Sequence, residues 1–177
     1  MTSLQEPIGS PFGAASTAGD VLAGLDLSGR TAIVTGGYSG LGLVTTKALC
    51  SAGAEVIVPA RDLERAEAAL AGIERVEIAP MDLIDVASVA DFASAFIARR
   101  QPLHLLINSA GIMATPLRRD AAGHEAQFAT NHLGHFRLTC HLWPPWRARC
   151  PRRCRILART PDCGCRFRGH RFRTPRL

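Results

Sequence analysis

Thr31-Ala32-Ile33-Val34 runs directly into Thr35-Gly36-Gly37-Tyr38-Ser39-Gly40-Leu41-Gly42, and this stretch decides the fold. A short apolar run reads as a strand. The glycines after it read as a turn, and the residues that follow carry a helical pattern. Strand, glycine turn and helix in that order are the context in which a glycine cluster means nucleotide binding. Glycine lets the backbone turn tightly and lets a pyrophosphate approach without meeting a Cβ. The helix that starts near Gly40 would then aim its free N–H groups and positive dipole end at the phosphates. A bare tight turn is the bland alternative, and the flanking elements weigh against it.

Outward from this stretch, strand and helix alternate. The helix after the glycines has Leu41, Val44, Ala48, Leu49 and Ala52 at 3.6-residue spacing, which predicts one buried face ending at Gly53. Residues 55–58 read as a second strand. Asp62 can cap a helix with Leu63, Ala66 and Leu70 on its inner side. Residues 76–78 read as a third strand. Asp85 can cap a helix that buries Val86, Val89, Ala93, Phe96 and Ile97, and Pro102 follows its end. Residues 103–107 read as a fourth strand, and residues 122–142 as a further helical stretch. This alternation predicts an α/β fold with a Rossmann-type, doubly wound parallel sheet in strand order 3-2-1-4. The ligand would then sit at the carboxyl ends of strands one and four. Stopping at strand four leaves residues 103–107 as an unpaired apolar edge, so self-association is expected.

Composition divides the chain. It has 177 residues, 47% of them apolar, enough for one domain with a sizeable core. No run approaches the roughly 18 apolar residues of a membrane helix, so no membrane partner is expected. The first twenty residues are rich in Gly, Ala, Ser and Pro and lack a basic start followed by an apolar stretch. They read as an arm rather than a signal peptide, which makes the cytoplasm the default compartment. Residues 1–24 are therefore taken as a flexible arm, 25–143 as the nucleotide-binding domain and 144–177 as a separate tail. The net charge of +6 hides a break. Residues 1–146 carry ten basic and fourteen acidic residues, whereas residues 147–177 carry eleven arginines and the single acid Asp162.

Four segments in order then carry a resemblance: Thr35-Gly36-x-x-x-Gly40-x-Gly42, Asp82-Leu83, Asn108-Ser109-Ala110-Gly111 and Asn131-His132-Leu133-Gly134-His135-Phe136. Residues 25–143 resemble the short-chain dehydrogenase/reductase family, in particular its retinol dehydrogenases and related bacterial oxidoreductases. The resemblance implies hydride transfer between NAD(P)(H) and a small alcohol or carbonyl substrate. It implies that Gly36, Gly40 and Gly42 hold the pyrophosphate and that Tyr38, Ser39 and Leu41 line the same loop. Asp82 and Leu83 would lie near the adenine, and Asn108, Ala110 and Gly111 beside the riboses. Asn131 would belong to the catalytic set. Ser109 departs from the family, where a second asparagine is usual.

Arg61 bears on cofactor choice. It stands some twenty residues past the glycines, where an acid would bind the ribose hydroxyls of NAD. No acid occupies Pro59, Ala60 or Arg61, and a guanidinium can fork onto a 2′-phosphate. NADP is therefore expected over NAD. The alternative is a solvated arginine beside Asp62.

The family's catalytic serine and Tyr-x-x-x-Lys pair find no match. The one tyrosine is Tyr38 and the one lysine is Lys47, both in the glycine loop and its helix. A missing proton donor costs about 10²–10⁴ in rate. The chain therefore reads as a cofactor-binding fragment of an oxidoreductase, or as a non-enzymatic NADP-binding regulator. Asp82 could also simply start a turn, and Asn131 could be a polar surface group. His132 and His135 are three apart on a helix, but no carboxylate or cysteine has partner spacing, so no metal is expected.

The tail's Cys150-x-x-x-Cys154 and Cys163-x-Cys165 spacings fit zinc poorly. Its arginines form no helical face and no stacking platform, which argues against nucleic-acid binding and for an irregular, basic, Arg/Pro/Cys-rich segment. The family resemblance stops at Trp143, where composition and charge also change. Twenty arginines against one lysine point to GC-rich codons, and GC-rich DNA read out of frame yields Arg, Pro, Gly, Ala, Cys and Trp. The tail is thus expected to be a frame-shifted reading, with a true basic binding tail as the competing explanation. Translating the other two frames downstream of the Trp143 codon should reveal a strand ending in serine, followed by Tyr-x-x-x-Lys. If neither frame stays open or carries those residues, the frame-shift reading fails.

Overall fold

A computed structural model describes residues 9–149, with side chains described as far as Trp143. The expectations placed on residues 150–177 lie outside the described residues. In chain order the elements are α1 (Ala18–Leu22), β1 (Thr31–Thr35), α2 (Gly40–Ser51), β2 (Glu55–Ala60), α3 (Leu63–Leu70), β3 (Val76–Pro80), α4 (Val86–Ala98), β4 (Leu105–Asn108) and α5 (Ala126–Phe128). A π-helical turn, Ala129–Gly134, then leads without a break into α6 (His135–Arg149). Helix α6 therefore crosses the change in composition at Trp143.

The four strands are parallel, in the order β3-β2-β1-β4, as the sequence pattern predicts. In register, Ile33 lies between Ile57 of β2 and Leu106 of β4. Side chains alternate across the sheet, so each strand feeds two cores. On one face Ile33 and Ile57 pack with Val89, Phe92 and Phe96 of α4 and with Leu138 and Leu142 of α6. On the other, Ala32, Val34, Val56 and Val58 pack with Leu49 and Cys50 of α2 and Leu70 of α3. Burial on both faces explains why β1 and β2 read as continuous apolar runs.

Local chemistry starts the helices where expected. The Asp62 carboxylate accepts from Arg65 N at 3.1 Å, and the Asp85 carboxylate accepts from Ala87 N at 2.9 Å. Inside the segment read as an arm, residues 18–22 form a helix with a capping box between Thr17 and Asp20.

The face expected for α2 needs correction. Its buried residues are Gly42, Thr46, Leu49 and Cys50. Leu41 is 83% exposed and Val44 51% exposed. Val44 and Ala48 point toward α1 instead, across a groove that also touches Leu22 and Leu25. Likewise Leu63, Val86 and Ile97 stay substantially exposed at the rims of their stripes. Among the described residues no helix is long and apolar enough to cross a membrane.

At the amino end of the β1–β4 pair, His104 N donates to Thr31 O, and Thr31 N donates back to His104 Nδ1, both at 3.0 Å. The ring must keep Nδ1 unprotonated to accept. Burial holds its pKa below the usual histidine range, with the charge of Arg30 adding to the effect. The folded state thus binds fewer protons than the unfolded chain, whose histidines titrate near pH ~6.5. This contribution is complete above that pH and is lost as pH falls toward the folded pKa. His104→Leu should cost about 1 kcal/mol in urea unfolding at neutral pH and flatten the loss of stability on acidification. An unchanged pH slope in the variant would contradict this assignment.

Candidate functional site

The strand order reverses beside β1: β2 continues one way and β4 the other. Their connections leave the sheet on opposite faces, which opens a crevice at the carboxyl ends of β1 and β4. A cleft of about 360 Å³ lies there. Its walls come from the glycine loop, from the ends of β2 and β3, and from the turn after β4.

The glycine loop forms the near wall. Gly36 has φ +66°, and a Cβ on it would stand 2.8 Å from Ala110 Cα. Gly42 packs its Cα against the Gly36 carbonyl so closely that a Cβ would collide with it. These two contacts let the loop fold back on the first turn of α2 and let β1 and β4 approach at their ends. Ser39 is the N-cap of α2, yet its side chain makes no capping bond. By contrast Thr17, Asp62, Asp85 and Glu125 all cap their helices through a side-chain oxygen. The first N–H groups of α2 therefore lack a capping side chain from Ser39, and Gly40, Leu41 and Gly42 line the cleft. Such an end is suited to an anion.

The far wall is the turn after β4, and one hydroxyl holds it. Thr35 is fully buried, and its Oγ1 accepts from Ser109 N at 3.0 Å and from Ala110 N at 3.1 Å. His135 Nε2 lies 2.8 Å from the same oxygen, and His135 Nδ1 lies 2.9 Å from Asn131 O. Burial pushes the His135 pKa down, and the Asn131 carbonyl only partly offsets this. Asn131 extends the tie. Its Oδ1 accepts from Ile112 N at 2.9 Å, and its Nδ2 donates to Ile112 O at 2.8 Å.

Gly36, Tyr38, Ser39, Gly40, Leu41, Gly42, Arg61, Asp82, Leu83, Ala110 and Gly111 all line this cleft, so eleven of the expected site residues converge. Asn108 and Asn131 do not line it. Asn108 pairs with Thr35 in the strand register and turns its amide toward Thr139 Oγ1, 3.4 Å away. Asn131 grips the backbone behind the wall. Asp82 lines the cleft and also starts a turn, accepting from Ile84 N at 3.2 Å. Arg61 is exposed, with no ion pair among the described residues. Its neighbour Asp62 is occupied as the α3 cap.

Sequence reasoning missed Thr35, Pro59, Met81, Ser109, Ile112 and Thr130 as lining residues, and His135 as the group behind the wall. Thr35 stood inside the quoted motif, and its position at the strand end was the available signal. His132 and His135 part company: His132 stacks on Phe128 with ring centroids 5.2 Å apart, while His135 turns inward.

A family model described as short chain dehydrogenase matches residues 30–154. The chain is 43% identical over 136 residues to the short-chain dehydrogenase TIC 32 B, chloroplastic, of Brassica napus, covering 73% of this chain and 42% of that protein. Among solved structures it resembles an uncharacterized protein from Mycobacterium paratuberculosis, with TM-score 0.66 and 42% identity over 73% of this chain and 46% of that one. It also resembles the Pseudomonas aeruginosa RhlG/NADP active-site complex, with TM-score 0.59 and 30% identity over 70% of this chain and 50% of that one. The chain thus spans about half, or less, of the length of the proteins it matches.

Proposed function

The chain belongs to the short-chain dehydrogenase family, and from that premise we propose that its cleft binds NADP(H) and that this chain holds the cofactor without turning it over. The observation that carries the reading is the uncapped start of α2 beneath a glycine loop that leaves no room for a Cβ. The pyrophosphate would lie against the N–H groups of residues 40–42, which the Ser39 side chain leaves uncapped. The cradle that a Cβ would fill is what fits the cofactor to these residues.

Arg61 supplies the preference for the phosphorylated form. Among the described residues lining the cleft it is the one cation, and Asp82 the one acid. Its guanidinium can fork onto a 2′-phosphate, whereas a carboxylate there would repel it. Asp62 beside it accepts from Arg65 N as the cap of α3 and forms no ion pair with Arg61 among the described residues. RhlG, at 30% identity, was solved as a complex with NADP, which supports the same choice.

Bound nicotinamide would supply hydride transfer to or from an alcohol or carbonyl carbon. The residues of this chain bind and orient: Gly36 to Gly42 hold the phosphates, Arg61 the 2′-phosphate, and Ala110 and Gly111 the riboses. Asn131 fixes the wall through Ile112. No Tyr-x-x-x-Lys pair, the family's proton donor and its partner, occurs in the sequence. Tyr38 and Lys47, the only residues of their kinds, both belong to the glycine loop and α2. The reading is thus an oxidoreductase by descent and a nucleotide-binding protein by its own residues.

The β4 edge bears on assembly. Among the described residues β4 has a neighbour on one side only, and its Leu105, Leu106 and Ile107 are half-buried. An open apolar edge favours pairing with a second copy. Sedimentation should show self-association rising with concentration, and a clean monomer across the range would count against it.

Calorimetry tests the cofactor reading. NADPH should bind about tenfold or more tightly than NADH, a gap of about 1.4 kcal/mol or more, and Arg61→Asp should narrow or reverse it. Equal affinities in the parent protein would sink the choice of NADP. The same protein, offered aldehydes, ketones and alcohols with NADP(H), should show no change at the nicotinamide absorbance. Turnover abolished by Asn131→Ala would show a complete site.

A further inference from the structure

We propose that His135 is a positioning residue for the cofactor cleft: its neutral ring directs the Thr35 hydroxyl proton, and the hydroxyl so directed holds the turn that forms the far wall. The proposal rests on the reading of that cleft as the NADP(H) site. The argument is one of donors and acceptors. A threonine hydroxyl has one proton and two lone pairs. Ser109 N and Ala110 N occupy both lone pairs, at 3.0 and 3.1 Å. The single proton can go to His135 Nε2 at 2.8 Å or to Ile107 O at 3.4 Å, and the shorter contact is the better bond. His135 Nε2 must then be the acceptor. Its proton sits on Nδ1, where it donates to Asn131 O at 2.9 Å. Each of these polar groups is satisfied in one arrangement only.

Protonating the ring breaks that arrangement. A second N–H would point at an oxygen whose lone pairs are both taken, so at least one of the two amides would have to let go. The ring is positioned for this coupling: Thr35 is fully buried, and His135 is 7% exposed. Among the described residues no charge stands close by to hold it cationic. β1, β4 and residues 109–112 contain no titratable side chain. The packed helix α4 offers only Asp91, which is exposed, and Asp82 lies in the cleft beyond Leu83. On the histidine's own helical stretch, His132 faces Phe128, and Arg137 and His141 follow it. Burial accordingly keeps the ring neutral at ordinary pH. Thr35 directly precedes Gly36, so the same hydroxyl also sets how far the glycine loop stands from the turn. A purely apolar residue at position 135 would fill the space but would leave the hydroxyl proton to the longer Ile107 contact.

The experiment compares the full chain with His135→Gln and His135→Leu. Glutamine keeps an acceptor and does not titrate; leucine keeps bulk and loses the acceptor. In the absence of nucleotide, the Ser109 and Ala110 amides should exchange about tenfold or more faster in the leucine variant than in the parent, with the glutamine variant close to the parent. NADPH affinity near pH ~7.5 should fall about tenfold for leucine and stay within about threefold for glutamine. As pH drops through the ring's lowered pKa, beneath the ordinary histidine range, parent affinity should fall away from that of the glutamine variant. Titration of the 2′-phosphate, with its pKa near ~6, is common to both proteins and cancels in the comparison. Should the leucine variant fail to fold, ¹⁵N shifts of the parent His135 ring decide: a proton on Nδ1 supports the proposal, and a proton on Nε2 overturns it. Parent-like amide exchange in a folded leucine variant, or superimposable parent and glutamine pH curves, would also overturn it. If the parent binds no NADPH, the cofactor reading falls, while the exchange rates and the tautomer still judge the role of His135.

Discussion

The structure depends on two backbones meeting where a side chain would keep them apart. Gly36, at the end of β1, faces Ala110, at the end of β4, with no room for a Cβ between them. That approach brings the loop after one strand against the turn after the other, and the crevice between them is the cleft. The hydrophobic cores on the two faces of the sheet hold the strands in register, but they would do so equally well for a sheet with no cleft. Contact at the strand ends is what converts a packed α/β sandwich into a site.

Electrostatically the cleft is spare. Among the described residues one cation and one acid line it, and glycines and small or apolar side chains make up most of the rest. Charge-assisted recognition is then concentrated at Arg61, and the rest of the grip is shape and main-chain hydrogen bonding. The walls are fixed in the same style. Asn131 spends both ends of its amide on the Ile112 backbone, and Thr35 spends its hydroxyl on two amides. Side chains behind the cleft thus bind the main chain, and the main chain faces the cleft.

Much of this was legible in the sequence, and for local reasons. The glycine loop, the caps at Asp62 and Asp85 and the apolar strands are written within a few residues of where they act. The strand order followed because parallel strands joined by helices have few ways to connect. What was illegible depended on partners distant in sequence. The stripe on α2 was misread because Val44 and Ala48 face α1, an element with no signal beyond a Thr-x-x-Asp cap. His132 and His135 read as neighbours on one α-helical face. The π-helical turn spreads residues three apart further round the axis, so one stacks on Phe128 and the other reaches β1. Asn131 reads as a member of the catalytic set, and only Ile112 beside it shows that its amide holds backbone.

The bonds behind the far wall also set an order of assembly. The hydroxyl of Thr35 reaches Ser109 and Ala110 across 74 and 75 residues, and His135 across 100. The pairs β1–β2 and β2–β3 close much shorter loops, and α2 and α3 lie between strands that can already find each other. Closing long loops is entropically costly and comes late in folding. During synthesis the glycine loop would emerge early and stay unformed as a binding surface until the segment carrying Asn131 and His135 had left the ribosome. Among the described residues the nucleotide cleft is therefore completed late, together with the packing of α6 on the sheet. Until then the amino-terminal strands must stay ordered, and out of the way of other nascent chains, on the core they share with α2 and α3, because the opposite face still lacks Leu138 and Leu142 of α6.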